Sequence, residues 1–138
     1  MLVSEVMTAQ VVTISPDDTI AMAKELLDKR RFHHLMVVED NLLLGVVSDK
    51  DLLKWLSPYV GTDAETTRDT SLLNKKIHQI MSRRLITVQP ETSLKQAIEV
   101  MVTSNVSCLP VVNAQNHLEG ILSWRDLLAA AHTVLMGF

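Results

Sequence analysis

Short runs of β-branched and aliphatic residues alternate with stretches of 3.6-residue apolar spacing, in an order that occurs once in the first half of the chain and again in the second. Val11, Val12, Thr13 and Ile14 are closed by Ser15, Pro16, Asp17 and Asp18; Leu85, Ile86, Thr87 and Val88 are closed by Gln89, Pro90, Glu91 and Thr92. Each reads as a strand followed by a turn that opens a helix. In the first helix Ile20, Ala23, Leu26 and Leu27 share a face, with Asp18 or Thr19 as the cap; Leu94, Ala97, Ile98 and Met101 do so in the second. Residues 35–38 and 43–47, and again 109–112 and 118–122, are nearly continuous apolar runs around a polar turn, which predicts a buried hairpin. A further helix is expected after Ser48 and after Ser123. The predicted unit is β-α-β-β-α, twice over: an α+β fold of two pseudo-symmetric units.

The duplication is explicit in one spelling. Gly45, Ser48 and Asp51, like Gly120, Ser123 and Asp126, stand in a G-x-x-S-x-x-D pattern followed by two leucines. Met81 lies 74 residues after Met7, and the same offset relates Thr13 to Thr87, Pro16 to Pro90 and Leu35 to Leu109; it becomes 75 at Gly45 and Gly120. The added residue falls in the polar hairpin turn, where an insertion leaves the core in place. Two copies point to a paired arrangement and not to an open solenoid. The boundaries expected are residues 1–57 for the first repeat, 58–71 for an exposed connector with nothing to bury, and 72–138 for the second. Residues 72–80 regain helical spacing and lead into Met81, as residues 2–6 lead into Met7.

Composition narrows the function classes. With 138 residues, 47% hydrophobic and 21% charged, the chain suits one domain or two halves that share a core, since either half alone would be marginally stable. A net charge of −3 argues against nucleic acid as a partner. No apolar run approaches the roughly 20 residues of a membrane span, and the first residues lack the pattern of a secretory signal. The single cysteine, Cys108, cannot form an internal disulfide, which suggests a cytoplasmic location. The chain carries no nucleophile elbow, P-loop, HExxH or dinucleotide-binding glycine fingerprint, so no catalysis is expected.

The order hydrophobic-Met-Thr/Ser, strand-Thr, Pro-acidic, amphipathic helix, Leu109-Pro110-Val111-Val112, then G-x-x-S-x-x-D-Leu-Leu resembles the cystathionine-β-synthase (CBS) domain pair, or Bateman module, from Ser4 to about Ala130. The resemblance implies paired β-α-β-β-α units with a cleft between them, a homodimer, and an adenosine nucleotide in the cleft: AMP, ADP, ATP or S-adenosylmethionine. It implies a ribose-binding role for Asp51 and Asp126.

The residues themselves admit two readings at most of these positions. An ionised carboxylate in a first helical turn can accept both hydroxyls of a ribose diol, while S-x-x-D is equally the spelling of a capping box, in which Ser48 and Ser123 cap the helix and the acid returns to the serine amide. The two serine hydroxyls can cap or can face a phosphate. Lys50 and Arg125 each place a cation where the helix dipole disfavours it by roughly 0.3–1 kcal/mol; a nearby phosphate would offset that, and a solvated surface charge is the plain alternative. Thr13 and Thr87, which the family often turns toward adenine or phosphate, are also good strand residues. Val12, Ile86, Leu35 and Leu109 are apolar slot candidates for a purine, or simply core.

Met36 stands where the second copy has Pro110, and Asp49 where it has Trp124, so the two copies are not expected to be equivalent. Arg30, Arg31, His33 and His34, with Arg83 and Arg84, form basic clusters that either reach a polyphosphate or face solvent. No metal site is expected, because His33 and His34 are adjacent in a strand and point to opposite faces, and the other histidines lack ligand spacing. Leu127, Leu128, Val134, Leu135 and Met136 near the C-terminus supply a dimer face or close their own half. The expectation is a regulatory module binding an adenosine nucleotide, with output through an unidentified effector protein or self-association; the alternative is a structural homodimerisation module with no nucleotide.

Overall fold

The computed structural model describes residues 1–30, 33–56 and 62–137. In chain order its elements are α1 (Val3–Val6), β1 (Thr13–Ile14), α2 (Ile20–Arg30), β2 (His34–Glu39), β3 (Leu42–Ser48), α3 (Asp49–Leu53), α4 (Thr67–Leu73), a 3₁₀ turn at Ile77–Gln79, α5 (Leu94–Ser104), β4 (Cys108–Val112), β5 (Leu118–Ser123) and α6 (Trp124–Leu135).

The packing units do not follow the sequence repeat. One is Val12–Leu85; the other joins Met1–Val11 to Ile86–Phe138. Backbone bonds show how the segment before each strand is seated. In the discontinuous unit the amides of Val3 and Ser4 donate to the carbonyls of Thr92 and Pro90, and Thr8 and Ile121 exchange bonds of 2.9 Å in both directions. In the other unit Ile77 and His78 donate to Asp18 and Pro16, and Ser82 and Val46 exchange bonds of 2.9 and 3.0 Å. Every one of these partners matches its counterpart at the offset of 74 or 75.

Each unit has its own buried cluster among the described residues. Ile14, Ile20, Ala23, Leu27, Leu35, Val37, Val47, Leu52, Ile77 and Met81 form one. Val3, Val88, Ala97, Met101, Leu109, Val111 and Leu122 form the other. Full burial of an aliphatic side chain of this size stabilises by about 1.5–3 kcal/mol.

The hairpins form as the apolar runs predict. Glu39 pairs with Leu42, leaving a two-residue turn at Asp40 and Asn41 with φ of 51° and 66°, the left-handed pair that matches strand twist. In the second copy the turn is longer, and the Asn113 amide donates to the His117 carbonyl, with the one positive φ of the loop at Asn116. Both hairpins carry an irregularity at the same place, after Val37 and after Val111, opposite the residue that precedes the repeated glycine. The first helices begin as expected, with Thr19 Oγ1 accepting from the Met22 amide at 3.3 Å and Ser93 Oγ from the Gln96 amide at 3.1 Å. Asp18 serves the turn instead, accepting from the Ser15 amide.

One expectation is corrected. The strand expected over residues 85–88 is reduced to a single bridge between Val88 and Val111, whereas β1 pairs through both Thr13 with Met36 and Ile14 with Val37. The second pair would draw on an amide proton at position 110, and proline has none. Within the stretch 58–71, residues 62–67 are exposed and α4 begins at Thr67. In that helix the Thr70 and Ser71 hydroxyls donate to the Thr67 carbonyl at 3.0 and 2.7 Å. Residues 58–61 of that stretch lie outside the described residues.

Candidate functional site

In each unit the second hairpin strand ends at a serine and a helix starts at once. Ser48, level with His34 across the sheet, caps α3, and its Oγ accepts from the Asp51 amide at 3.0 Å while Asp51 Oδ2 accepts from the Ser48 amide at 2.9 Å. Ser123, level with Cys108, caps α6 in the same way: its Oγ accepts from the Asp126 amide at 3.3 Å, and Asp126 Oδ2 accepts from the Ser123 amide at 2.8 Å. Both capping boxes are therefore formed. They use one oxygen of each carboxylate and leave the other outside the cap.

The outer oxygens differ. Asp126 Oδ1 accepts from the Thr8 hydroxyl at 2.8 Å; Asp51 Oδ1 accepts no bond from a described residue. Thr8 was not legible as a partner of Asp126, although Met7-Thr8 and Met81-Ser82 occupy matching places and mark a hydroxyl after methionine in both copies. Lys50 and Arg125 are exposed, and the Arg125 guanidinium lies over the Trp124 ring, 6.0 Å from its centre. Trp124 itself is 52% exposed.

Of the apolar candidates, Leu35 and Leu109 are fully buried in the cores of their units, so neither offers surface to a ligand. The plain core reading describes them. Val12 and Ile86 are half-buried, and Thr13 and Thr87 exposed. In the Val12–Leu85 unit the order β1-β2-β3 sets Thr13 level with Met36, two steps along β2 from the pair His34 with Ser48. Strand start and helix start thus share one end of the sheet.

The first copy adds a histidine contact. His33 Nδ1 stands 3.0 Å from Asp49 Oδ2, and that hydrogen bond holds the Asp49 carboxyl below its ordinary range. Partial burial lowers the pKa of the neighbouring His34. In the second copy Ser107 and Trp124 take the places of His33 and Asp49, keeping the backbone bond from the Trp124 amide to the Ser107 carbonyl at 3.1 Å. The Arg30 side chain and Arg31 lie outside the described residues; the Arg83 guanidinium donates to the His78 carbonyl.

Cys108 opens β4 with its thiol pushed up by burial to about 11. At neutral pH such a thiol is almost wholly protonated and a poor nucleophile. Alkylation by iodoacetamide at pH 7.5 should be at least tenfold slower in the folded chain than in urea. Unfolded Cys108 ionises near pH 9, so folding stability should fall as pH rises from about 9 to 11, by about 2–3 kcal/mol at most. An alkaline stability series of Cys108→Ser, lacking that fall, checks the assignment.

The family model of the CBS domain matches residues 3–58 and 77–133. The chain belongs to the CBS domain family. It carries two CBS repeats in an α+β fold, and among known structures it is similar to CBSX2, solved in complex with AMP: 30% sequence identity, 96% of this chain and 97% of that chain covered, TM-score 0.81. The CBS domain-containing protein YhcV of Bacillus subtilis is 32% identical over 125 residues, 91% of this chain and 81% of YhcV. MJ1225 of Methanocaldococcus jannaschii is 27% identical over 128 residues, 92% of this chain. The chain spans only 46% of the length of MJ1225. Among the described residues no helix is long and apolar enough to cross a membrane.

Proposed function

We propose that this CBS pair is a non-catalytic regulatory module that binds an adenosine nucleotide, of the AMP, ADP, ATP or S-adenosylmethionine class, and passes occupancy on as a conformational or oligomeric change. The observation that carries the reading is the carboxylate oxygen that each copy keeps outside its capping box, at the start of a helix and next in sequence to Lys50 or Arg125. Asp51 and Asp126 then take the ribose. The side chains of Ser48, Lys50, Ser123 and Arg125 face phosphate, and Val12, Thr13, Ile86 and Thr87 meet the base. The likeness to CBSX2, solved with AMP, supports the ligand class. A ligand drives a switch only if it binds the two arrangements with different affinity.

A second reading, a homodimerisation module without nucleotide, is favoured by α6. Trp124, Leu128 and Leu135 are exposed along it, Leu135 by 84%, and an apolar face of this kind suits a second copy of the chain. Thermal unfolding with each nucleotide separates the two. A ligand at a hundred times its dissociation constant adds about 2.7 kcal/mol, and Asp51→Ala or Asp126→Ala should remove that increment. Each variant also loses the carboxylate's bond to the serine amide in the capping box, so the ligand-induced increment, and not the starting stability, is the quantity to compare. No increment with any of the four nucleotides, with a dimer in light scattering, would favour the second reading.

A further inference from the structure

We propose that the Thr8 hydroxyl is an intramolecular competitor for ligand at Asp126, which makes the second copy the weaker of the two nucleotide sites. The inference rests on the reading above, in which the aspartates receive ribose hydroxyls. Thr8 is fixed by its own backbone: its amide and carbonyl both bond to Ile121 at 2.9 Å, so the hydroxyl meets Asp126 Oδ1 at 2.8 Å from a paired segment and not from a loose end. The Oδ2 atom of the same carboxylate accepts from the Ser123 amide at 2.8 Å and the Ser123 hydroxyl at 3.0 Å. A carboxylate offers about four acceptor positions. Three are already taken, so a diol with two donors must displace or share one.

The first copy lacks this competition. Ser82 holds the place of Thr8 and makes the same two backbone bonds, to Val46, yet Asp51 Oδ1 accepts from no described residue. The neighbouring cations differ in the same sense. Arg125 lies over the Trp124 ring, whereas the Lys50 ammonium has no partner among the described residues. Both groups that would meet a nucleotide are engaged within the second copy, and in the first neither has a partner among the described residues.

The test is a titration of the ¹⁵N-labelled full chain with AMP, followed at the amides of Ser48 and Lys50 and, separately, of Ser123 and Arg125. In the wild type the second pair should saturate at higher AMP concentration than the first. Thr8→Val keeps the branched shape at this exposed position and loses the donor; it should lower the dissociation constant read at Ser123 and Arg125 about three- to tenfold, the range of a hydrogen bond to a charged group partly replaced by ligand. Thr8→Ser should restore the wild-type value. A constant that is unchanged or raised in Thr8→Val overturns the proposal while nucleotide binding stands. The absence of saturable shifts at either pair overturns the nucleotide reading, and this proposal with it.

Discussion

Deletion of residues 1–8 should cost about 4 kcal/mol or more and should loosen elements more than eighty residues away in sequence. Val3 is fully buried among Val88, Ala97, Leu109 and Leu122, and its loss forfeits about 2 kcal/mol of burial together with a cavity. The amides of Val3 and Ser4 leave the Thr92 and Pro90 carbonyls unpaired, and the exchange between Thr8 and Ile121 disappears. Amide hydrogen exchange is the discriminating measurement. Protection should fall across α5, β4 and β5 while β2 and β3 retain theirs. Protection that falls instead over residues 34–48, the part of the repeat nearest in sequence, would contradict the seating of the N-terminal segment described above.

The second large effect is expected at the repeated glycines. A Cβ at Gly45 would stand 2.6 Å from Met81 Sδ and 2.9 Å from the Ser82 carbonyl oxygen; at Gly120 it would stand 2.7 Å from Met7 Sδ and 2.9 Å from the Thr8 carbonyl oxygen. The thioether can swing aside. The carbonyls cannot, because each accepts the bond that seats its segment on the strand, from Val46 or from Ile121. Gly45→Ala and Gly120→Ala should therefore each destabilise by about 2–3 kcal/mol, read as a lower urea midpoint at unchanged slope. A cost below about 0.5 kcal/mol at both positions would show that the close approach is not real. These glycines stand in the repeat because another backbone crosses them, so their spelling reports packing and not ligand.

Much of the architecture was legible because it is written twice. The hairpins and both amphipathic helices follow from runs such as residues 35–38 and from the spacing of Ile20, Ala23 and Leu27, which are buried as expected. The seating of residues 1–11 was not legible. A repeat offset says that Thr8 and Ser82 are equivalent, but it is silent on which copy's strand each one joins. The difference between Met36 and Pro110 was visible, yet its effect on strand pairing depends on which neighbour needs the amide at that position. At the candidate site the spelling S-x-x-D was compatible with a cap and with a ribose contact. The capping boxes are formed, and the outer oxygen of Asp126 is taken by a hydroxyl from a segment more than a hundred residues away in the chain.

The discontinuity of one unit also orders events during synthesis. Residues 12–85 hold every residue of the buried cluster around Leu35 and Val47, so that core can begin to assemble once they have emerged from the ribosome. Residues 1–11 leave before residues 12–85 and wait, unpaired, until α5, β4 and β5 have been made. Val3, Val6 and Met7 are thus apolar surface without their partners until β4 and β5 emerge, and a segment made before the first core joins the unit completed after it.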